Sequence, residues 1–246
     1  MAVLSVERLS KAYDGVQALR GVSFAVEAGE LVAMIGPNGA GKTTCFNIVN
    51  GQIRPDAGEV VLEGKALTGL APRAIWRLGV GRTFQVAATF GSMTVRENVQ
   101  MALLSHERLS GSLFLPARNL LVEEADALLG DVGMADQARR ACAELAYGDL
   151  KRVELAIALA HRPRLLLMDE PTAGMAPEER QALMTLAASL ARSDRLAVLF
   201  TEHDMEVVFG FADRVIVLHG GEIIAAGAPA QVRSDPRVRE VYLGDA

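Results

Sequence analysis

The sequence predicts an α/β chain built on a largely parallel, covered sheet, with a block of helices inserted into it. Three observations predict it. An apolar run, Leu31–Ile35, leads into a glycine-rich loop and then into helical spacing from Lys42 to Asn50. A second run, apolar over 165–168 after Arg164, ends in two carboxylates, Asp169 and Glu170, and a third, 197–201, is again followed by a helical pattern. Between them, residues 86–160 exchange short strands for helical periodicity. Strands buried on both faces read as continuous hydrophobic runs, and alternating strand and helix is the order that a parallel sheet covered by helices requires.

The elements follow in order. Residues 3–9 alternate as a strand and 22–26 form a second, with Lys11-Ala12-Tyr13-Asp14-Gly15 turning between them, which makes an antiparallel β part at the N-terminus. Tyr13 is thereby placed on a loop just before the core. After the first helix, 54–58 is turn-rich and 59–62 is a short strand that ends at Gly64. A helix over Pro72–Leu78 is started by its proline. In the inserted block, Val95, Val99, Ala102 and Leu103 mark one helix, and Leu120, Ala127, Leu128 and Val132 a second, with a loop at 110–118 between them. Val153, Ala156, Ile157 and Ala160 mark a third, beginning just after Asp149. The core resumes with the strand ending at Glu170, a helix over 177–191, the strand 197–201, a helix after Asp204, a hairpin of 214–218 with 222–226, and a short helix over 235–243. One domain over 1–246 is expected, with an α/β core from 1–85 and 161–246 around a helical subdomain at 86–160.

Composition narrows the classes. A formal charge of −5 argues against broad nucleic-acid binding. The chain holds no run of about 18 apolar residues and no charged segment leading into an apolar signal core, so neither a membrane span nor export is expected. Two cysteines, Cys45 and Cys142, are too few and too far apart for a metal site or a disulfide framework and read as packing residues.

The chemistry starts at the loop. Gly36, Pro37, Asn38, Gly39, Ala40, Gly41, Lys42, Thr43 and Thr44 fit G-x-x-x-x-G-K-[ST] in its strand–loop–helix setting. The glycines let successive backbone N–H groups converge on phosphate oxygens at the electropositive end of a helix, Lys42 adds a charge for the terminal phosphates, and Thr43 places a hydroxyl on Mg²⁺. Alone, the loop says only that a nucleoside triphosphate binds, as it does in kinases, GTPases, helicases and transport ATPases.

Asp169 and Glu170 stand at the carboxyl end of a buried strand, the edge of an open α/β sheet where ligands bind. Asp169 suits the water ligands of Mg²⁺, and Glu170 suits orienting and deprotonating an attacking water. His203 follows the next core strand and emerges on the same edge, where it can donate to a γ-phosphate oxygen. Gln85, at the junction of core and helical block, can reach Mg²⁺ and report a γ-phosphate. Tyr13 is either surface packing or a flat partner for an adenine ring. His106, His161 and His219 have no comparable placement.

The set GPNGAGKTT, RTFQ, LAYGD, LLLMDEPTAGMAPEE and FTEH, in this order, resembles the ATP-binding subunits of ABC transporters over about 3–243. The segment GMAPEE, with RTFQ and DPRVREVYLG, most resembles the branch serving bacterial high-affinity branched-chain amino-acid importers. The resemblance implies a P-loop NTPase core of RecA-like topology, ATP and Mg²⁺ as ligands, and attachment to integral-membrane permeases at the cytoplasmic face of the inner membrane. A periplasmic binding protein is implied only indirectly. It implies that Tyr13 stacks on adenine, that residues 36–44 bind phosphates, and that Thr43, Gln85 and Asp169 serve the metal. Glu170 is then the catalytic base and His203 the switch histidine. Two such domains face each other head to tail, as a homodimer or with a second ATPase, and Leu145, Ala146, Tyr147, Gly148 and Asp149 act on the partner's ATP.

Two departures stand out. The family's common signature is Leu-Ser-Gly-Gly-Gln where this chain has LAYGD, and an aspartate is usual where it has Ala176. Both belong to the contribution across the dimer. A soluble ABC ATPase without a transporter is the rival reading, but such proteins usually carry two fused ATPase domains or a long coiled coil, and this chain shows no sustained heptads.

Overall fold

The computed structural model describes residues 2–83, 89–107 and 119–243. The expected loop at 110–118 and Gln85 lie outside these residues. A long hairpin opens the chain, strand β1 (Ala2–Tyr13) pairing antiparallel with β2 (Val16–Glu27). Both strands run further than their hydrophobic alternation. Residues 10–13 are polar or partly exposed because little packs over them, so pairing there leaves no period-2 signature. The turn is only Asp14-Gly15, both at positive φ, the backbone of a two-residue type I′ hairpin. Tyr13 is therefore the last residue of β1, not a loop residue.

Strand β3 (Leu31–Ile35) leads through the glycine-rich loop into helix α1 (Lys42–Val49). Next come β4 (Ala57–Leu62), β5 (Lys65–Ala66), α2 (Pro72–Leu78) and β6 (Val80–Thr83). The helical block holds α3 (Val95–His106), α4 (Val122–Asp131) and α5 (Tyr147–Leu159), with 3-10 turns at Ala135–Gln137 and Cys142–Glu144. The remainder is β7 (Leu165–Asp169), α6 (Pro177–Asp194), β8 (Ala197–Thr201), α7 (Met205–Phe211), β9 (Arg214–His219), β10 (Glu222–Gly227), α8 (Pro229–Ser234) and α9 (Pro236–Leu243).

The strands form two sheets, one of order β2-β1-β4-β5 and one of order β10-β9-β3-β8-β7-β6. The first is antiparallel; in the second, β9, β3, β8, β7 and β6 are parallel and only β10 reverses. Strands β3, β7, β8 and β9 each divide their side chains between two cores. Ala33, Phe200, Met168 and Val217 face a core shared with α3 to α6, while Met34, Leu199, Leu167 and Leu218 face one shared with the hairpin and α1. Burial on both faces is why these strands read as unbroken apolar runs.

Several elements differ from the sequence reading. β6 was hidden because its four residues include Gly81 and Arg82, yet it pairs along β7 from Val80↔Leu165 to Thr83↔Met168. The Gly81 is forced by packing, since a Cβ there would lie 2.8 Å from the Ala158 carbonyl of α5. α4 buries Ala125 and Leu129, with Val132 just beyond it, and Ala127 is exposed. α5 begins at Tyr147, so Tyr147, Gly148 and Asp149 form its first turn and do not precede it. α3 begins with a reciprocal cap: Thr94 N–H donates to Glu97 Oε2 at 2.8 Å, and Glu97 N–H to Thr94 Oγ1 at 3.2 Å. Cys45 and Cys142 are both buried, as packing residues should be.

Candidate functional site

The strand order puts the ends of β3, β8, β7 and β6 side by side at the carboxyl edge of the parallel sheet. β3 delivers the phosphate loop, β8 delivers Thr201, Glu202 and His203, β7 delivers Asp169 and Glu170, and β6 delivers Arg82. This is the edge where open α/β sheets bind ligands.

Tight packing shapes the loop. A Cβ on Gly36 would sit 2.1 Å from the Leu218 carbonyl, and one on Gly41, at φ 107°, would sit 2.5 Å from the Ala18 carbonyl of β2. Gly221 N–H donates to the Ala40 carbonyl at 3.1 Å, so the turn between β9 and β10 also braces the loop. Ala40 is buried beneath it, whereas Asn38, Gly39 and Thr43 are exposed and Pro37 and Thr44 partly so. The Lys42 ammonium, almost fully buried, donates to the carbonyls of Gly36 at 2.5 Å and Pro37 at 3.2 Å. Burial pushes its pKa below the ordinary lysine value, and the charges of Glu170 and Asp169 oppose that shift. α1 carries no acidic residue in its first turn and no side-chain cap, which leaves its amide end available to an anion. A cradle closed to a Cβ at Gly36 and Gly41, with a buried cation over carbonyls, fits a polyphosphate.

Around the carboxylates, Asp169 Oδ1 accepts from Thr201 Oγ1 at 2.8 Å and Oδ2 accepts from Arg82 Nη2 at 3.1 Å. Glu170 has φ 48°, a left-handed conformation that costs a non-glycine residue on the order of 1–3 kcal/mol. Its N–H is held by the Thr201 carbonyl at 3.2 Å and Thr201 Oγ1 at 3.0 Å. The side chain then meets His203, whose Nε2 lies 3.0 Å from Glu170 Oε1. Buried Glu202 fixes both neighbours. Its Oε1 accepts from Thr172 N–H at 2.9 Å and Thr172 Oγ1 at 2.6 Å, and its Oε2 accepts from His203 N–H at 3.1 Å. Asp204 then caps α7 by accepting from Glu206 N–H at 2.9 Å.

Arg82, Thr201 and Glu202 were missed from sequence. Each sits inside or beside a segment already singled out, but no short-range pattern names its partner. Tyr13, exposed, closes the hairpin whose Ala18 and Leu19 line Gly41, and the Lys11 ammonium lies 5.5 Å from its ring centre. The segment 145–149 is carried by other elements, since α5 packs chiefly on α3, α4, α6 and β6. Ala146 occupies the N-cap of α5 without a side-chain acceptor, and Tyr147 is exposed beside Gly174. Ala176 likewise starts α6, where its N–H donates to Glu179 Oε2 at 3.1 Å.

Comparison with known proteins agrees with this architecture. Residues 19–173 match the model of the ABC transporter family, and residues 222–246 match that of the branched-chain amino acid ATP-binding cassette transporter. The chain is 39% identical to the high-affinity branched-chain amino acid transport ATP-binding protein LivG of Escherichia coli, over 99% of this chain and 98% of that protein. Among solved structures, an ABC transporter cassette in its ADP conformation superimposes with a TM-score of 0.87 at 33% identity, covering 99% of both chains. A cassette solved as a dimer in a post-hydrolysis state with ADP and phosphate gives a TM-score of 0.78 at 26% identity, covering 92% of this chain and 98% of that one. A matched family model, a full-length relative and a shared fold establish that this chain belongs to the ABC transporter family as an ATP-binding, ATP-hydrolysing subunit.

Proposed function

We propose that the chain powers import of branched-chain amino acids or chemically related solutes, working beneath membrane permeases that it does not itself contain. The observation that carries the catalytic part is the Glu170 carboxylate held 3.0 Å from His203 beside the buried Lys42. The solute class is supported by the full-length relative and by the match over 222–246.

Residues 36–44 bind the phosphates of ATP, and Lys42 exchanges the Gly36 and Pro37 carbonyls for phosphate oxygens. Thr43, Asp169 and Gln85 would hold Mg²⁺, which when bound would neutralise phosphate charge. The fit rests on the exposed Thr43 at the start of α1 and on the Asp169 carboxylate fixed at the end of β7, on the same sheet edge as β3 with β8 between them. Glu170 takes the proton of the attacking water, and His203 keeps that carboxylate aimed while its ring reaches toward the γ-phosphate. Tyr13 stacks on adenine.

Leu145, Ala146, Tyr147, Gly148 and Asp149 complete the site of a partner, either a second copy or a second ATPase, so that ATP joins the pair and hydrolysis releases it. Among the described residues no helix is long and apolar enough to cross a membrane. Likeness to transport ATP-binding proteins supports a peripheral position at the cytoplasmic face of the plasma membrane, touching permeases directly and a periplasmic binding protein only through them. The formal charge of −5 supports leaving nucleic acid off the list of partners.

The test is reconstitution in proteoliposomes with the permeases and binding protein of the same transport system. ATP-driven uptake of labelled leucine, isoleucine and valine is expected. Uptake of another solute class instead, with ATP hydrolysis intact, overturns the solute assignment alone.

A further inference from the structure

We propose that Arg82 is a positioning residue for the divalent-cation half of the site, clamping Asp169 to the helix that follows the phosphate loop. Its side chain is only 8% exposed. One edge of the guanidinium donates to Asp169 Oδ2 at 3.1 Å, and the other donates to Asn47 Oδ1 at 2.8 Å and Gln52 Oε1 at 3.3 Å. Asn47 lies on α1, whose first residues are Lys42 and Thr43. A single planar group thus spans from the helix that presents Thr43 to the strand end that presents Asp169.

The other oxygen of Asp169 is taken by Thr201 at 2.8 Å. Donors from β6 and β8, the strands on either side of β7, hold the two carboxylate oxygens, so the group cannot rotate without breaking one of them. Lysine cannot do the same work. Its compact ammonium lacks the fork that reaches a carboxylate and two amide oxygens at fixed angles. A cation held between Thr43 and Asp169 needs their separation constant, and Arg82 is the side chain that ties one to the other.

This inference rests on Asp169 serving the metal, so the experiment tests both. The affinity of the full chain for a fluorescent ATP analogue is measured in excess Mg²⁺ and again in EDTA, for Arg82→Met, Arg82→Lys, Asn47→Ala and Asp169→Asn. Loss of one charge-assisted hydrogen bond corresponds to about tenfold or more. Arg82→Met is expected to weaken binding in Mg²⁺ by about that factor while leaving binding in EDTA within about twofold. Arg82→Lys and Asn47→Ala should move the same way by less, and they carry the test should Arg82→Met fail to fold.

Equal weakening in both media makes Arg82 a structural ion pair and overturns the proposal, as does no change in Mg²⁺. If Asp169→Asn removes the benefit of Mg²⁺ while the Arg82 and Asn47 variants do not, Arg82 alone is excluded. If Asp169→Asn leaves the benefit of Mg²⁺ intact, the metal role of Asp169 falls, and that of Arg82 with it.

Discussion

His203 Nε2 lies 3.0 Å from Glu170 Oε1, joining the ends of two adjacent parallel strands across the candidate catalytic edge. The contact is secured from beneath, since Glu170 N–H is bound to Thr201 and His203 N–H to Glu202. A base aimed by an imidazole on a fixed backbone keeps its direction when water enters.

Glu170→Gln should keep MgATP binding and stop steady turnover, because the amide preserves shape and cannot take a proton. Loss of a general base costs about 10²–10⁴-fold. Hydrolysis and nucleotide binding are measured side by side, and a variant retaining most of its turnover removes Glu170 from this role.

Glu202→Gln should slow turnover and lower stability together. Its amide oxygen can replace only one of the two carboxylate oxygens, and its NH₂ then faces the N–H of either Thr172 or His203. An unsatisfied buried donor costs about 1–3 kcal/mol. Urea unfolding reads the first effect and hydrolysis the second; unchanged turnover in a destabilised variant restricts Glu202 to a structural role.

Ala146→Ser has two separable consequences. In the free chain a serine at this N-cap accepts from a first-turn N–H of α5, raising stability by about 0.5–2 kcal/mol. In the assembled ATPase pair its hydroxyl also offers a donor to the partner's γ-phosphate, and several-fold tighter ATP-driven dimerisation or faster hydrolysis is expected. Stabilisation without either change would show that the amide end of the helix carries the contact.

His161 makes the fold acid-sensitive. The ring is buried against Trp76, with centroids 4.6 Å apart, and burial, followed by the charge of His106, pushes its pKa down to about 4. The unfolded chain takes up this proton near pH 6.5 and the folded chain does not, so stability falls as pH drops below about 6.5 and levels off below about 4. The full effect is on the order of 3 kcal/mol. Comparing urea midpoints at pH 7.5 and 5 for the parent and His161→Leu isolates it. An equal drop in both proteins contradicts the assignment.

Much of the site was legible because it is written in consecutive residues. Residues 36–44 need glycines for a backbone that no other residue fits, and the strand runs before them and before Asp169 are apolar because both faces are covered. One helix start carried a local mark, Pro72. Tyr13 was singled out but placed on a loop, since pairing over residues 10–13 has no hydrophobic period. The first turn of α5 was missed because Gly148 weakens a helical pattern that tertiary packing nevertheless sustains.

The sequence by itself determined the phosphate loop, the carboxylate-ended strand and the order of most strands and helices, because glycine geometry and hydrophobic period act within a few residues. Only the tertiary structure decided which ends are neighbours. Arg82 reaches Asp169 across 87 residues of chain, and Thr201 reaches Asp169 across 32. Those partners follow from the sheet order β3-β8-β7-β6, which departs from chain order and is settled by burying both strand faces at once. No local signal encodes that order, so Arg82, Thr201 and Glu202 acquire their roles only when the sheet is assembled.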